Sequence, residues 1–115
     1  MSEKLLVVIL SSRNGEDRVR QGLILTRDLK KLDFLREIRL LFYGSGVEWL
    51  ALDLSGEVKD LLEEVKGLGV EIAACSANVR ELGLDLDVQE QGVKIVGAPI
   101  YIADRLSEGF TIMTF

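Results

Sequence analysis

The chain has no histidine, and among its 115 residues there is a single cysteine, a single proline and a single tryptophan. Without histidine it lacks the commonest general base near neutral pH and the commonest metal ligand, so histidine-based catalytic triads and conventional zinc sites are excluded. One thiol cannot close a disulfide within the chain, which gives no support to an oxidising compartment and leaves Cys75 reduced at rest. Basic residues are the minority: 14 Lys and Arg stand against 19 Asp and Glu, a formal net charge of -5. Proteins that track nucleic-acid phosphates carry clustered basic surface, so direct nucleic-acid binding is not expected.

Long apolar runs are missing as well. Leu5-Leu6-Val7-Val8-Ile9-Leu10 is too short to cross a bilayer, and Met1-Ser2-Glu3-Lys4 before it offers neither the basic leader nor the cleavage site of a signal peptide. The expectation is a soluble, cytoplasmic protein with no membrane contact. At 48% hydrophobic, the sequence suffices for one domain that buries about two thirds of its unfolded surface. No internal repeat, low-complexity tract or linker divides it, so residues 1–115 read as a single domain.

What is present is an alternation of two patterns. Five short apolar segments, Lys4–Leu10, Ile38–Tyr43, Val70–Ala74, Val93–Val96 and Phe110–Phe115, are rich in Val and Ile and read as strands covered on both faces. Between them lie helix-length stretches with charged faces. From Glu57 to Gly67, Val58, Leu61, Leu62 and Val65 recur at helical spacing, with Ser55 as the expected N-cap and Gly67 and Gly69 closing the helix. A first helix is predicted from Glu16 to Leu32, with Val19, Leu23, Leu25 and Leu29 facing inward. A last one begins near Pro99 at its first helical position and stops at Gly109. Ser76 to Gly92 holds one or two short helices interrupted at Gly83. The order β-α-β-α-β-α-β-α-β, with right-handed crossovers, predicts a three-layer α/β/α sandwich around a five-stranded parallel sheet.

In such a sheet, ligands gather at the loops leaving the carboxyl ends of the strands. Those loops are Ser11–Gly15, Gly44–Trp49, Cys75–Asn78 and Gly97–Pro99. Cys75 stands where a strand runs into a helix, so the backbone N–H groups of Ser76 and Ala77 are placed to stabilise a thiolate, with Arg13 or Arg80 able to assist. The competing reading is core filler, because unpaired cysteines are among the most buried residues. Gly44-Ser45-Gly46 resembles the start of a dinucleotide fingerprint, yet Trp49 holds the third glycine position and Glu48 would repel a pyrophosphate; a tight turn is the simpler meaning. Ser11–Gly15 lacks the Gly-Lys-Ser/Thr ending of a P-loop. Asp85, Asp87 and Glu90 read as a solvated acidic face rather than paired acid/base groups. Trp49-Leu50-Ala51-Leu52 is apolar for a loop and fits either a subunit contact or a lid on the local core.

Taken together, the order of motifs resembles the DsrE/DsrF-like family, small α/β proteins that include sulfur-relay subunits. The resemblance rests on the apolar first strand, the long first helix, Gly44-Ser45-Gly46-Val47, Gly69-Val70-Glu71-Ile72-Ala73-Ala74-Cys75, Gly83-Leu84, Gly92–Gly97 and Glu108–Ile112. It implies that Cys75 accepts sulfur as a persulfide from a donor protein and passes it to an acceptor, with no metal or organic cofactor. Ser76, Ala77, Asn78, Arg13, Gly44, Ser45 and Gly46 would then shape its pocket. It also implies a homo-oligomer, a trimer or a hexamer. After Cys75 this chain continues Ser76-Ala77-Asn78-Val79-Arg80-Glu81-Leu82-Gly83, unlike the paired arginines and glycine of the tRNA-thiolation subunits, and so resembles the stand-alone members more closely. A non-catalytic binding or regulatory module of the same fold, with Cys75 structural, is the alternative.

Overall fold

A computed structural model describes residues 3–115. Its strands are β1 (Lys4–Ile9), β2 (Glu37–Phe42), β3 (Glu71–Cys75), β4 (Lys94–Val96) and β5 (Phe110–Thr114). The helices are α1 (Glu16–Leu32), α2 (Glu57–Gly67), α3 (Ser76–Glu81), α4 (Asp85–Glu90) and α5 (Ala98–Ser107). Short 3₁₀ turns occupy Arg13–Gly15 and Gly44–Leu50. All strand pairs are parallel, in the spatial order β4-β3-β2-β1-β5. Successive strands step across the sheet in one direction from β1 to β4, and α5 then carries the chain back so that β5 joins the free side of β1.

That reversal decides which face each helix covers. Right-handed crossovers put α1, α2 and the α3–α4 pair on one face and force α5, travelling the other way, onto the opposite face. The buried residues divide accordingly. Leu5, Val7, Ile9, Ile38, Leu40, Phe42, Ile72 and Ala74 pack with Val19 and Leu23 of α1, with Val58, Leu61, Leu62 and Val65 of α2, and with Val79 and Val88. Leu6, Val8, Leu41 and Ala73, one residue out of phase along the same strands, pack with Tyr101 and Phe110. Each of the four α2 side chains contributes roughly 1.5–3 kcal/mol by leaving water. The expected parallel sandwich is therefore present, with the faces covered unequally: four helices on one and the ten-residue α5 on the other.

Local details differ from the sequence reading for identifiable reasons. Leu25 was expected inside, but Ile24 and Leu29 are the neighbours that pack on the core, while Thr26 is fully buried. Thr26 can be buried because its hydroxyl donates to the Gly22 carbonyl at 2.8 Å. Ser55 does not cap α2; Gly56 does, at φ 116, a left-sided backbone angle that serine adopts poorly. Ala98 precedes Pro99 as the first residue of α5. The sequence 49–52 was read as loop, yet the 3₁₀ turn runs to Leu50 and buries both Trp49 and Leu50. Finally, β5 is not covered on both faces: as an edge strand it leaves Thr111, Met113 and Thr114 exposed. No helix among the described residues is long and apolar enough to cross a membrane.

Candidate functional site

The carboxyl ends of β1, β2 and β3 open onto three loops that are fastened to one another. Gly46 lies so close to β1 that an added Cβ would collide with the Ile9 carbonyl, and this contact seats the Gly44–Leu50 turn on the end of the strand. The Trp49 indole N–H then donates to the Ser11 carbonyl at 3.0 Å, which ties the turn to the first loop. A carboxylate oxygen of Glu48 accepts from the backbone N–H of Arg13 at 3.3 Å. On the other side, the side-chain oxygen of Asn78 accepts from the Gly44 N–H at 2.9 Å and joins α3 to the same turn. Trp49 therefore closes the local core, and of its two readings the lid is the one realised within the chain.

Cys75 is the last residue of β3 and the N-cap of α3, with φ -67 and ψ 122. Its Cα partner on β4 is Val96. Alternation along the strand places it on the α5 face with Ala73; Tyr43 and Leu10, the residues that follow β2 and β1, are 38% and 39% exposed. A thiol that works at this edge has to meet water, yet Cys75 is only 5% exposed, on the row of β3 that faces α5. Its side chain makes no capping hydrogen bond to the first turn of α3, so the backbone N–H groups there are not bonded to sulfur in this conformation.

The remaining expected site residues divide by location. Asn78 and Gly44 meet directly, and Gly46 and Ser45 belong to the same turn. Ser76 is half-buried and Ala77 exposed at the start of α3. Arg13 lies apart: it lines an open depression of about 360 Å³ with Glu48, Ala51, Leu82 and Leu84, whose lining does not include Cys75. Asp87 accepts from the backbone N–H of Leu52 at 2.9 Å, which gives one member of the acidic trio a structural task.

Sequence reasoning missed a second polar centre at the opposite end of the α5 face. Arg39 of β2 bonds to Glu37 and, at 3.1 Å, to Glu71 of β3. The Tyr101 hydroxyl donates to the same Glu71 oxygen at 2.7 Å. Arg105 pairs with Glu108 through two bonds and lies 4.6 Å from the Tyr101 ring. Burial, followed by the bond to the Glu71 carboxylate, raises the Tyr101 phenol above its ordinary range. Arg39 is also raised: hydrogen bonding and its two carboxylates outweigh the burial that opposes its charge. These residues lie on β2, β3 and α5 and share no sequence motif; only the alternation of Glu37 and Arg39 on one strand face hints at their union. They pin α5 to the sheet.

Solved structures share this architecture. Over 96% of the chain and 94% of the other, it superposes with a TM-score of 0.80 and 20% identity on BT1422, a conserved protein of unknown function from Bacteroides thetaiotaomicron. The ychN protein of E. coli matches over the full length of both chains with a TM-score of 0.79 and 20% identity. MTH1491 of Methanobacterium thermoautotrophicum, also of unknown function, matches over the full length of both at 28% identity with a TM-score of 0.69. No curated protein matches the chain. The model of the DsrE/DsrF-like family matches residues 3–115, and with the parallel sheet, the reversed final crossover and Cys75 at the end of β3 in place, the chain belongs to that family.

Proposed function

We propose that this protein is a sulfur carrier of the relay type that accepts sulfur on Cys75 and hands it to a partner protein. The observation that carries the reading is the placement of the chain's one thiol at the junction of β3 and α3, on the loop edge where parallel sheets bind ligands. The chemistry is an exchange with no net redox change. The Cys75 thiolate attacks the outer sulfur of a donor persulfide, R–S–SH; a new S–S bond forms, the donor's S–S bond breaks, and the donor leaves as R–S⁻. Delivery reverses these roles: an acceptor thiolate takes the outer sulfur and Cys75 departs as thiolate. Such a step needs no histidine and no cofactor. It does need approach to sulfur along the S–S axis, so the residues over Cys75 must part during transfer. Asn78 and Gly44 hold the neighbouring loops in register, while the partly exposed Tyr43 and Leu10 follow β2 and β1 at the same edge of the sheet.

The family resemblance further supports a homo-oligomer, a trimer or a hexamer, that meets separate donor and acceptor proteins. Intact mass after exposure to a persulfide donor tests the reading: the wild-type protein gains one sulfur atom and Cys75→Ser gains none. If both gain sulfur equally, or neither does, the carrier reading fails.

One observation favours a second reading. The 5% exposure of Cys75 and its lack of a polar partner are the marks of a small core residue, as in a binding or regulatory module in which the thiol only packs. Labelling by a thiol reagent near neutral pH, compared with a free model thiol, separates the two: the module predicts labelling only as fast as the protein unfolds.

A further inference from the structure

We propose that the outer edge of β5 is a two-fold pairing surface for a second copy of this chain, so that two five-stranded sheets join into one. The inference is independent of what Cys75 does. Phe115 donates its N–H to the Val8 carbonyl at 2.9 Å and accepts from Leu10 at 2.7 Å, which fixes the direction of the alternating backbone. Residues 111, 113 and 115 turn their peptide groups toward β1, and Phe110, Ile112 and Thr114 turn theirs outward. β5 is the terminal strand of the sheet, and among the described residues no hydrogen bond meets the outward N–H and carbonyl groups of Ile112 and Thr114.

Sheet edges of soluble chains are ordinarily guarded by shortness, charge, proline or a covering element. The two edges here differ in this respect. β4 is only three residues long and carries the exposed Lys94, which a two-fold pairing would bring close to its own copy. β5 has no such guard: Phe110-Thr111-Ile112-Met113-Thr114-Phe115 contains no charge, no proline and no glycine. In a two-fold contact each residue meets itself or a near neighbour, so the absence of charge is what self-pairing requires. With the axis at Ile112, Ile112 pairs with its copy and Phe110 with Thr114 of the second chain, making about six backbone hydrogen bonds in an antiparallel ladder. The same register sets Met113, 41% exposed in the single chain, beside Thr111 of the copy. Such a contact is compatible with a hexamer built from two-fold dimers and not with a bare trimer.

The test combines sedimentation equilibrium with hydrogen exchange on the full chain. The wild type is expected as an even-numbered oligomer in which the Ile112 and Thr114 amides exchange at least tenfold more slowly than in the dissociated protein at high dilution. The double variant Thr111→Lys, Met113→Lys, which alters only exposed side chains, should halve the mass while its circular dichroism is unchanged. Thr114→Pro, which removes one outward N–H and leaves the bonds to β1, should do the same. A monomeric or odd-numbered wild type would overturn the proposal. So would fast exchange at Ile112 and Thr114 in an intact oligomer, a readout that requires no variant to fold, or retention of full mass by the folded double variant.

Discussion

The side-chain oxygen of Asn78, in the first turn of α3, accepts the backbone N–H of Gly44 at 2.9 Å, a bond between residues 34 positions apart. Among the described residues it is the one hydrogen bond between the helix that follows Cys75 and the glycine-rich turn that follows β2, and both ends of it were marked out by their places in the sequence. Asn78→Ala leaves the partly buried Gly44 N–H without an acceptor, and the expected cost is about 1–2 kcal/mol in urea unfolding. Asn78→Asp keeps the acceptor and should recover most of it. The rate of Cys75 labelling is expected to rise in the alanine variant and return to the wild-type value in the aspartate variant.

Gly46 is the seat of the same turn on β1. A Cβ at this position runs into the backbone of Ile9 and Leu10, which no side-chain rotation can relieve. Gly46→Ala is therefore expected to destabilise the protein by about 3 kcal/mol or more. Gly97→Ala serves as the control, since an added Cβ there meets nothing within 4 Å; it should lie within about 0.5 kcal/mol of wild type. Comparable losses in the two variants would refute this account of the turn.

Arg39 joins β2 to β3 through Glu71 and lies 5.5 Å from the Phe110 ring of β5. Arg39→Ala leaves a half-buried Glu71 with the Tyr101 hydroxyl as its remaining partner, and the expected cost is about 2 kcal/mol. Arg39→Lys should restore only part of this, because a single ammonium cannot reproduce the fork that reaches Glu37 and Glu71 together. Denaturant midpoints of the three proteins provide the comparison.

The raised Tyr101 pKa has a definite sign. A phenol held neutral by burial and by donation to Glu71 stabilises the fold fully below the ordinary tyrosine value near 10, and that contribution is lost as pH rises through the higher folded value. Thermal midpoints measured from pH 9 upward should fall more steeply for wild type than for Tyr101→Phe, once the phenylalanine variant's lost hydrogen bond is taken into account at neutral pH. Parallel curves would show that Tyr101 does not carry the alkaline sensitivity.

The fold was readable because burial on both faces leaves an unmistakable mark: Leu5 to Ile9 and Leu40 to Phe42 have nothing polar to interrupt them, and α2 has its stripe at the regular spacing. The first helix was harder to orient. Val19, Leu23 and Leu29 point inward as spacing demands, but Ile24 and Leu25 both fall near the boundary while Thr26 is fully buried, and a buried hydroxyl bonded within its own helix carries no apolar signal. Cys75 could be placed on its strand end from sequence, whereas its burial depended on which face of the sheet it joins and what packs there, which is a property of the assembled fold. Arg39, Glu71 and Tyr101 stayed hidden for the same reason: each looks like an ordinary surface residue until strand order brings all three to one face.

Strand order also dictates the sequence of events as the chain is made. β1 lies between β2 and β5, and Lys4 pairs with Phe110 near the other end of the chain. While a ribosome is still extending the polypeptide, one flank of β1 has no native neighbour, and Leu6 and Val8 on the α5 face have no helix above them. Closure of that flank is a late, long-range event whose loop-closure entropy slows it. Nascent chains stalled before residue 110 should therefore be the species that chaperones retain and that clump when chaperones are scarce.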